Sequence, residues 1–193
     1  MHKLSIRVFD TILDTSKIKD TVSRDSSSFW KPFCKSSGWA FSYERIHSIS
    51  DLNFFLSRKI KEDILIFSGH GNTDGFHLSN GEIFKPDEEM LKPVPVKNAE
   101  KTIIFSSCGI GQNEKLCEQY KSFFGAQAVF AYKHLMSDRF CFLNESILLT
   151  MLSHHFSKKN VFSIKNFEDF QSKTLFMKNM NQEYVKSHPM VMV

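Results

Sequence analysis

Hydrophobic residues recur along this chain in two rhythms, and the boundaries between them mark its elements. Three short runs are apolar with no polar face, Ile64–Phe67, Thr102–Phe105 and Ala126–Ala131. That pattern suits strands covered on both sides. Leu4–Phe9 and Trp39–Ile46 lean apolar with partial alternation and read as two further strands. Helical spacing appears in Asn113–Phe124 and Arg139–Phe156, the second with Ser137 or Asp138 as its cap. Ser50-Asp51 reads as the cap of a helix with its stripe at Leu52, Phe55 and Leu56. In Phe76–Phe84, Asn80-Gly81 lies between apolar pieces and predicts a hairpin. The Ser-rich stretch Ser23–Ser28 reads as a surface loop or helix start, Lys85–Lys97 as a connector, and Val161–Ile164 as a last strand.

Strands alternating with helices predict an α/β fold, a three-layer sandwich with a mostly parallel central sheet and helices on both faces. In such sheets ligands meet the chain at the carboxyl ends of the strands. A length of 193 residues fits a single domain over 1–193, with a core at about 1–165 and a C-terminal tail, 166–193, that the pattern leaves unassigned.

Composition narrows the partners. The formal charge of +4 is spread over the chain without a long Lys/Arg block, so no nucleic-acid partner is expected. No run reaches the 18 or so apolar residues of a membrane helix, and the first residues lack the uninterrupted apolar core of a secretion signal. The expectation is a soluble, cytoplasmic protein with no membrane partner, in which Cys34, Cys108, Cys117 and Cys141 stay thiols. Twenty phenylalanines read mostly as core.

Two of the buried strands end in reactive side chains. His70 follows Ile64–Phe67 in Ser68-Gly69-His70-Gly71, and Cys108 follows Thr102–Phe105 in Ser106-Ser107-Cys108-Gly109. If the strands are neighbours, their ends lie about 5 Å apart. An imidazole that takes or shares the thiol proton, aided by the start of the next helix, makes a thiolate available. The flanking glycines leave room for a substrate backbone and N–H groups for an oxyanion.

In this order and spacing the chain resembles the caspase-like (clan CD) cysteine peptidases, most closely their CHAT branch. The likeness covers about residues 64–155. It rests on the strand ending in His70-Gly71, on Asp74-Gly75-Phe76-His77-Leu78-Ser79-Asn80-Gly81, on the strand ending in Ser106-Ser107-Cys108, and on Gly125-Ala126-Gln127-Ala128-Val129. The resemblance implies a caspase-like fold and a cysteine endopeptidase working through an acyl-thioester. Cys108 would be the nucleophile and His70 the proton carrier, with the N–H groups of Gly71 and Cys108 as the oxyanion hole. It further implies a protein substrate, no cofactor and no metal. Asp138 best matches an acidic residue that lines the pocket for the side chain before the cut, so basic residues are expected there. Relatives of this type serve cell death or bacterial defence and are gated by an activating partner protein or small-molecule signal. The sequence departs from the family in having Ser107-Cys108-Gly109-Ile110-Gly111 in place of Ala-Cys-Glu-Thr-Gly, and His134-Leu135-Met136 where Trp-Pro is usual.

Blander readings stand beside these. Asp138 serves equally well as a helix N-cap, and a strand-end cysteine is commonly a small buried hydrophobe. Cys34, Cys117 and Cys141 read as packing. No Cys-x-x-Cys or His-Glu-x-x-His occurs, and neither the Arg of a tyrosine phosphatase nor the Gly-Lys-Ser/Thr of a phosphate loop follows Cys108. Two alternatives remain, a catalytically silent module that binds a partner or small signal molecule, and a redox-sensing Cys108 with Cys117 as resolving thiol.

Overall fold

The computed structural model describes residues 3–11, 25–87, 89–158, 160–175, 177 and 188–193. Six strands form one sheet in the order β2-β1-β3-β7-β8-β9. They are β1 (Ser5–Asp10), β2 (Ala40–Arg45), β3 (Ile64–Ser68), β7 (Thr102–Ser106), β8 (Ala128–Tyr132) and β9 (Met190–Met192). All neighbours run parallel except β9, which is antiparallel to β8. A second, antiparallel sheet joins β4 (His70–Asn72), β5 (Gly75–His77) and β6 (Ile83–Phe84).

The side-chain period of two divides the central strands between two cores. Ile64 and Ile66 of β3, Ile104 of β7 and Phe130 of β8 enter one core, with Trp30 of α1 (Ser27–Ser37), Leu148 of α4 (Asp138–Ser157) and Phe170 of α5 (Ile164–Lys173). Leu65, Phe67, Ile103, Phe105 and Val129 enter the other, with Leu52 of α2 (Ile49–Leu56), Tyr120 of α3 (Glu114–Phe124) and the small sheet's Phe76 and Phe84. The fold is therefore α/β, with helices on both faces of a mostly parallel sheet. Residues of β3, β7 and β8 are buried throughout, as their unbroken apolar runs require.

Several elements differ from the sequence expectation; β8 begins at Ala128, leaving Ala126 and Gln127 outside the strand. The cap of α2 is Ser48, whose hydroxyl accepts from Asp51 N–H at 3.1 Å, while the Asp51 carboxylate accepts from Ser48 N–H. This reciprocal box places Ser50 inside the helix. Residues 161–164 form no strand, because Ser163 caps α5 through a matching box with Asn166. The tail supplies α5 and the edge strand β9, so it completes both a helical layer and the sheet. Of the Ser-rich stretch, Ser23 and Arg24 lie outside the described residues, and Ser26 precedes α1 with its hydroxyl donating to Asp10 rather than capping the helix.

The approach to β9 is pinned by His188. Its Nδ1 accepts from Met190 N–H at 3.2 Å and its Nε2 lies 3.0 Å from Thr174 Oγ1, while the Phe170 ring packs at 5.2 Å. Burial disfavours the imidazolium, and nearby Lys133 opposes it further, so the pKa drops from 6.5 to about 4. With the folded value depressed, the unfolded chain binds the extra proton between those limits. Stability is therefore full above about pH 6.5 and is lost as pH falls toward 4. Denaturant titrations from pH 7 to pH 4 are expected to show a loss that flattens in His188→Gln. An unchanged slope in that variant would remove His188 as its cause.

Candidate active site

The parallel pairing of β3 with β7 aligns Ser68 with Ser106, so the segments carrying His70 and Cys108 leave the sheet side by side at its carboxyl edge. Gly69 N–H donates across this edge to Ser106 O at 3.3 Å. Close approach depends on glycine at one position above all. A Cβ on Gly71 would lie 2.9 Å from Ser107 Oγ and 3.0 Å from Cys108 O. The backbones of the His70 and Cys108 segments are thus in contact, with no room for a side chain between them. Gly109 then turns the chain through φ +73°, a left-handed conformation that favours glycine. The 3-10 turn Ile110–Gln112 follows, and Asn113 caps α3 by accepting from Leu116 N–H at 3.1 Å.

His70, Cys108 and Asp138 line one small cavity together with Gly69, Ser107, Met136 and Cys141. Three of the four sequence-derived site residues meet there, and the fourth, Gly71, borders Cys108 on its other side. Ser137 caps α4 by accepting from Phe140 N–H at 3.4 Å, so Asp138 sits in the first turn rather than at the cap. A carboxylate there faces the positive end of the helix. The N–H groups of Gly71 and Cys108, expected to form an oxyanion hole, lie on the two segments that touch here.

The thiol is held by a contact that residue types could not announce. Met136 N–H approaches Cys108 Sγ at 3.3 Å, and the thiol lies 3.8 Å from Met136 O. The backbone between β8 and α4 therefore lies against the sulfur on one side, and Cys108 as a whole stays half-buried. The enclosed cavity measures about 30 Å³, room for about two waters, since one needs at least ~10–15 Å³. A long side chain enters on the Asp138 side only if the 133–137 segment moves.

A second, open cleft of about 380 Å³ also reaches Cys108, with otherwise different walls. Asn72, Thr73, Gln112, Lys133 and His134 are among its walls. Asn113 braces it, since Nδ2 donates to Thr73 O at 3.0 Å while Oδ1 caps α3.

The other cysteines are buried thiols outside any disulfide. Burial pushes Cys34 up to about 11 and, aided by Glu114 and Glu118, Cys117 up to about 12. Cys117 donates to Ile110 O at 3.6 Å from within the second core, whereas Cys141 shares the small cavity with Cys108. Among the described residues no cluster of His, Cys, Asp and Glu could hold a metal ion, and no helix is long and apolar enough to cross a membrane. No protein-family model matches this chain, and no curated protein matches it either.

Proposed function

We propose that the chain is a caspase-like cysteine endopeptidase in which Cys108 and His70 form the catalytic pair. The observation that carries this reading is the in-register pairing of β3 with β7, which delivers both side chains to one cavity. In the first half-reaction the Cys108 thiolate adds to a peptide carbonyl, and the charge that develops on oxygen meets the N–H groups of Gly71 and Cys108. His70 returns the thiol proton to the departing amine, leaving an acyl-thioester. Water, deprotonated by His70, then releases the acid and restores the thiol. Asp138 beside the thiol suits a basic side chain before the cut.

The closed Met136 contact favours a state that awaits activation by a partner protein or small signal, and equally favours the second reading, a silent module of the same fold. One labelling experiment separates an active pair from an inert thiol. At pH 7, iodoacetamide is expected to modify Cys108 well before Cys34 or Cys117, and His70→Ala to slow that reaction several-fold. Mass spectrometry reads the sites. Equal labelling of Cys108 with and without His70 would argue against the pair and for the silent module.

A further inference from the structure

We propose that the open cleft beside Cys108 receives an acidic side chain, so that the preferred cut lies between a basic and an acidic residue. The inference rests on the peptidase reading above and adds the residue on the far side of the bond. Two hollows meet at the thiol and share Cys108 alone. The small one is lined by the acidic residue Asp138. The open one carries Lys133 and His134 and no Asp or Glu among its lining residues. A substrate chain laid across Cys108 therefore passes from a negative hollow to a positive one within one scissile bond.

The open cleft is also furnished to solvate an anion. Asn72 Oδ1 accepts from Asp74 N–H at 2.8 Å, which ties up its acceptor end and leaves the NH₂ end to donate. Gln112 adds a second side-chain amide. At about 380 Å³ the cleft lies within the range of ordinary ligand sites, about 300–1,000 Å³. Lys133 is partly buried at the end of β8, and its N–H donates to Pro189 O at 2.7 Å, which fixes the base of its side chain. A substrate lysine at that point would meet a like charge, and a glutamate an opposite one. Such a contrast is expected to give roughly a tenfold preference, equivalent to about 1.4 kcal/mol.

The test uses internally quenched peptides that share Arg before the cut and differ only in the next residue, Glu, Gln or Lys. With wild-type protein, kcat/KM is expected to fall in that order, by about tenfold from first to last. Lys133→Glu should reverse the order and Lys133→Gln should flatten it. Equal rates for the three peptides, or an order that neither variant moves, would overturn the proposal. Failure of the peptidase reading is read separately, from fluorescence anisotropy of the same peptides, singly labelled, on Cys108→Ala protein. If none is cut but the Glu peptide binds more tightly than the Lys peptide, and Lys133→Glu inverts this, the charge preference stands, and the peptidase reading falls if His70→Ala also leaves Cys108 labelling unchanged. Equal binding of the Glu and Lys peptides together with no cleavage would overturn the charge preference.

Discussion

Peptide hydrolysis is expected to drop about 10²–10⁴-fold in His70→Ala, the range removed with a general acid–base group, and to vanish in Cys108→Ala. The two losses have different origins. In the proposed mechanism, loss of Cys108 removes the atom that would carry the acyl group. Loss of His70 would leave the sulfur but remove the proposed carrier of its proton toward the leaving amine. Because Gly71 packs its backbone on Ser107 and Cys108, truncating the His70 side chain is expected to leave the backbone of the proposed oxyanion hole in place. Steady-state rates on an arginine peptide, with the far-ultraviolet circular dichroism of each variant as the folding control, decide the matter. Undiminished hydrolysis in folded His70→Ala would end the dyad assignment, and undiminished hydrolysis in Cys108→Ala would end the peptidase reading.

Phe67→Ala is expected to cost about 3–5 kcal/mol, the usual range for emptying a buried aromatic site. Phe67 is fully buried on β3, the strand between β1 and β7. Its ring meets Phe9 and Phe105 at 5.2 Å, Phe84 at 5.5 Å, Phe124 at 5.6 Å and Phe76 at 5.8 Å. These partners come from β1, β7, β6, α3 and β5, so no single neighbour can relax into the void. Set against an ordinary total of about 5–15 kcal/mol, the loss should shift the urea midpoint strongly while leaving the slope unchanged. Phe54→Ala makes the comparison. Phe54 is 49% exposed and stacks against Arg58, and its loss should fall within about 1 kcal/mol. Equal midpoints for the two variants would contradict a core centred on Phe67.

The aromatic excess and the three unbroken apolar runs were legible because each reports a strand buried on both sides, and burial leaves its mark in residue type. The direct neighbourhood of β3 and β7 was a condition in the sequence reading, since pairing is decided by contacts far apart in the chain. Val161–Ile164 looked like a strand because Val and Ile are β formers. The capping pair Ser163 and Asn166 and the buried Phe167 and Phe170 outweigh that local preference. They were the available signal for α5. At the site, His70, Cys108 and Asp138 carried their chemistry in their side chains. Met136 did not, because it acts on the thiol through backbone atoms that any residue possesses.

The edge strand also sets an order of events during synthesis. Val191 packs against Gly111, just beyond the Cys108 turn, and Pro189 accepts from Lys133 at the root of the segment that lies against the sulfur. Both contacts join parts made early to a part made some 80 residues after Gly111. At about 5–20 residues per second on a ribosome, several seconds separate the emergence of the thiol from that of the strand that anchors its surroundings. During that interval the nascent chain carries Cys108 without the strand contacts that anchor Gly111 and Lys133 on either side of it.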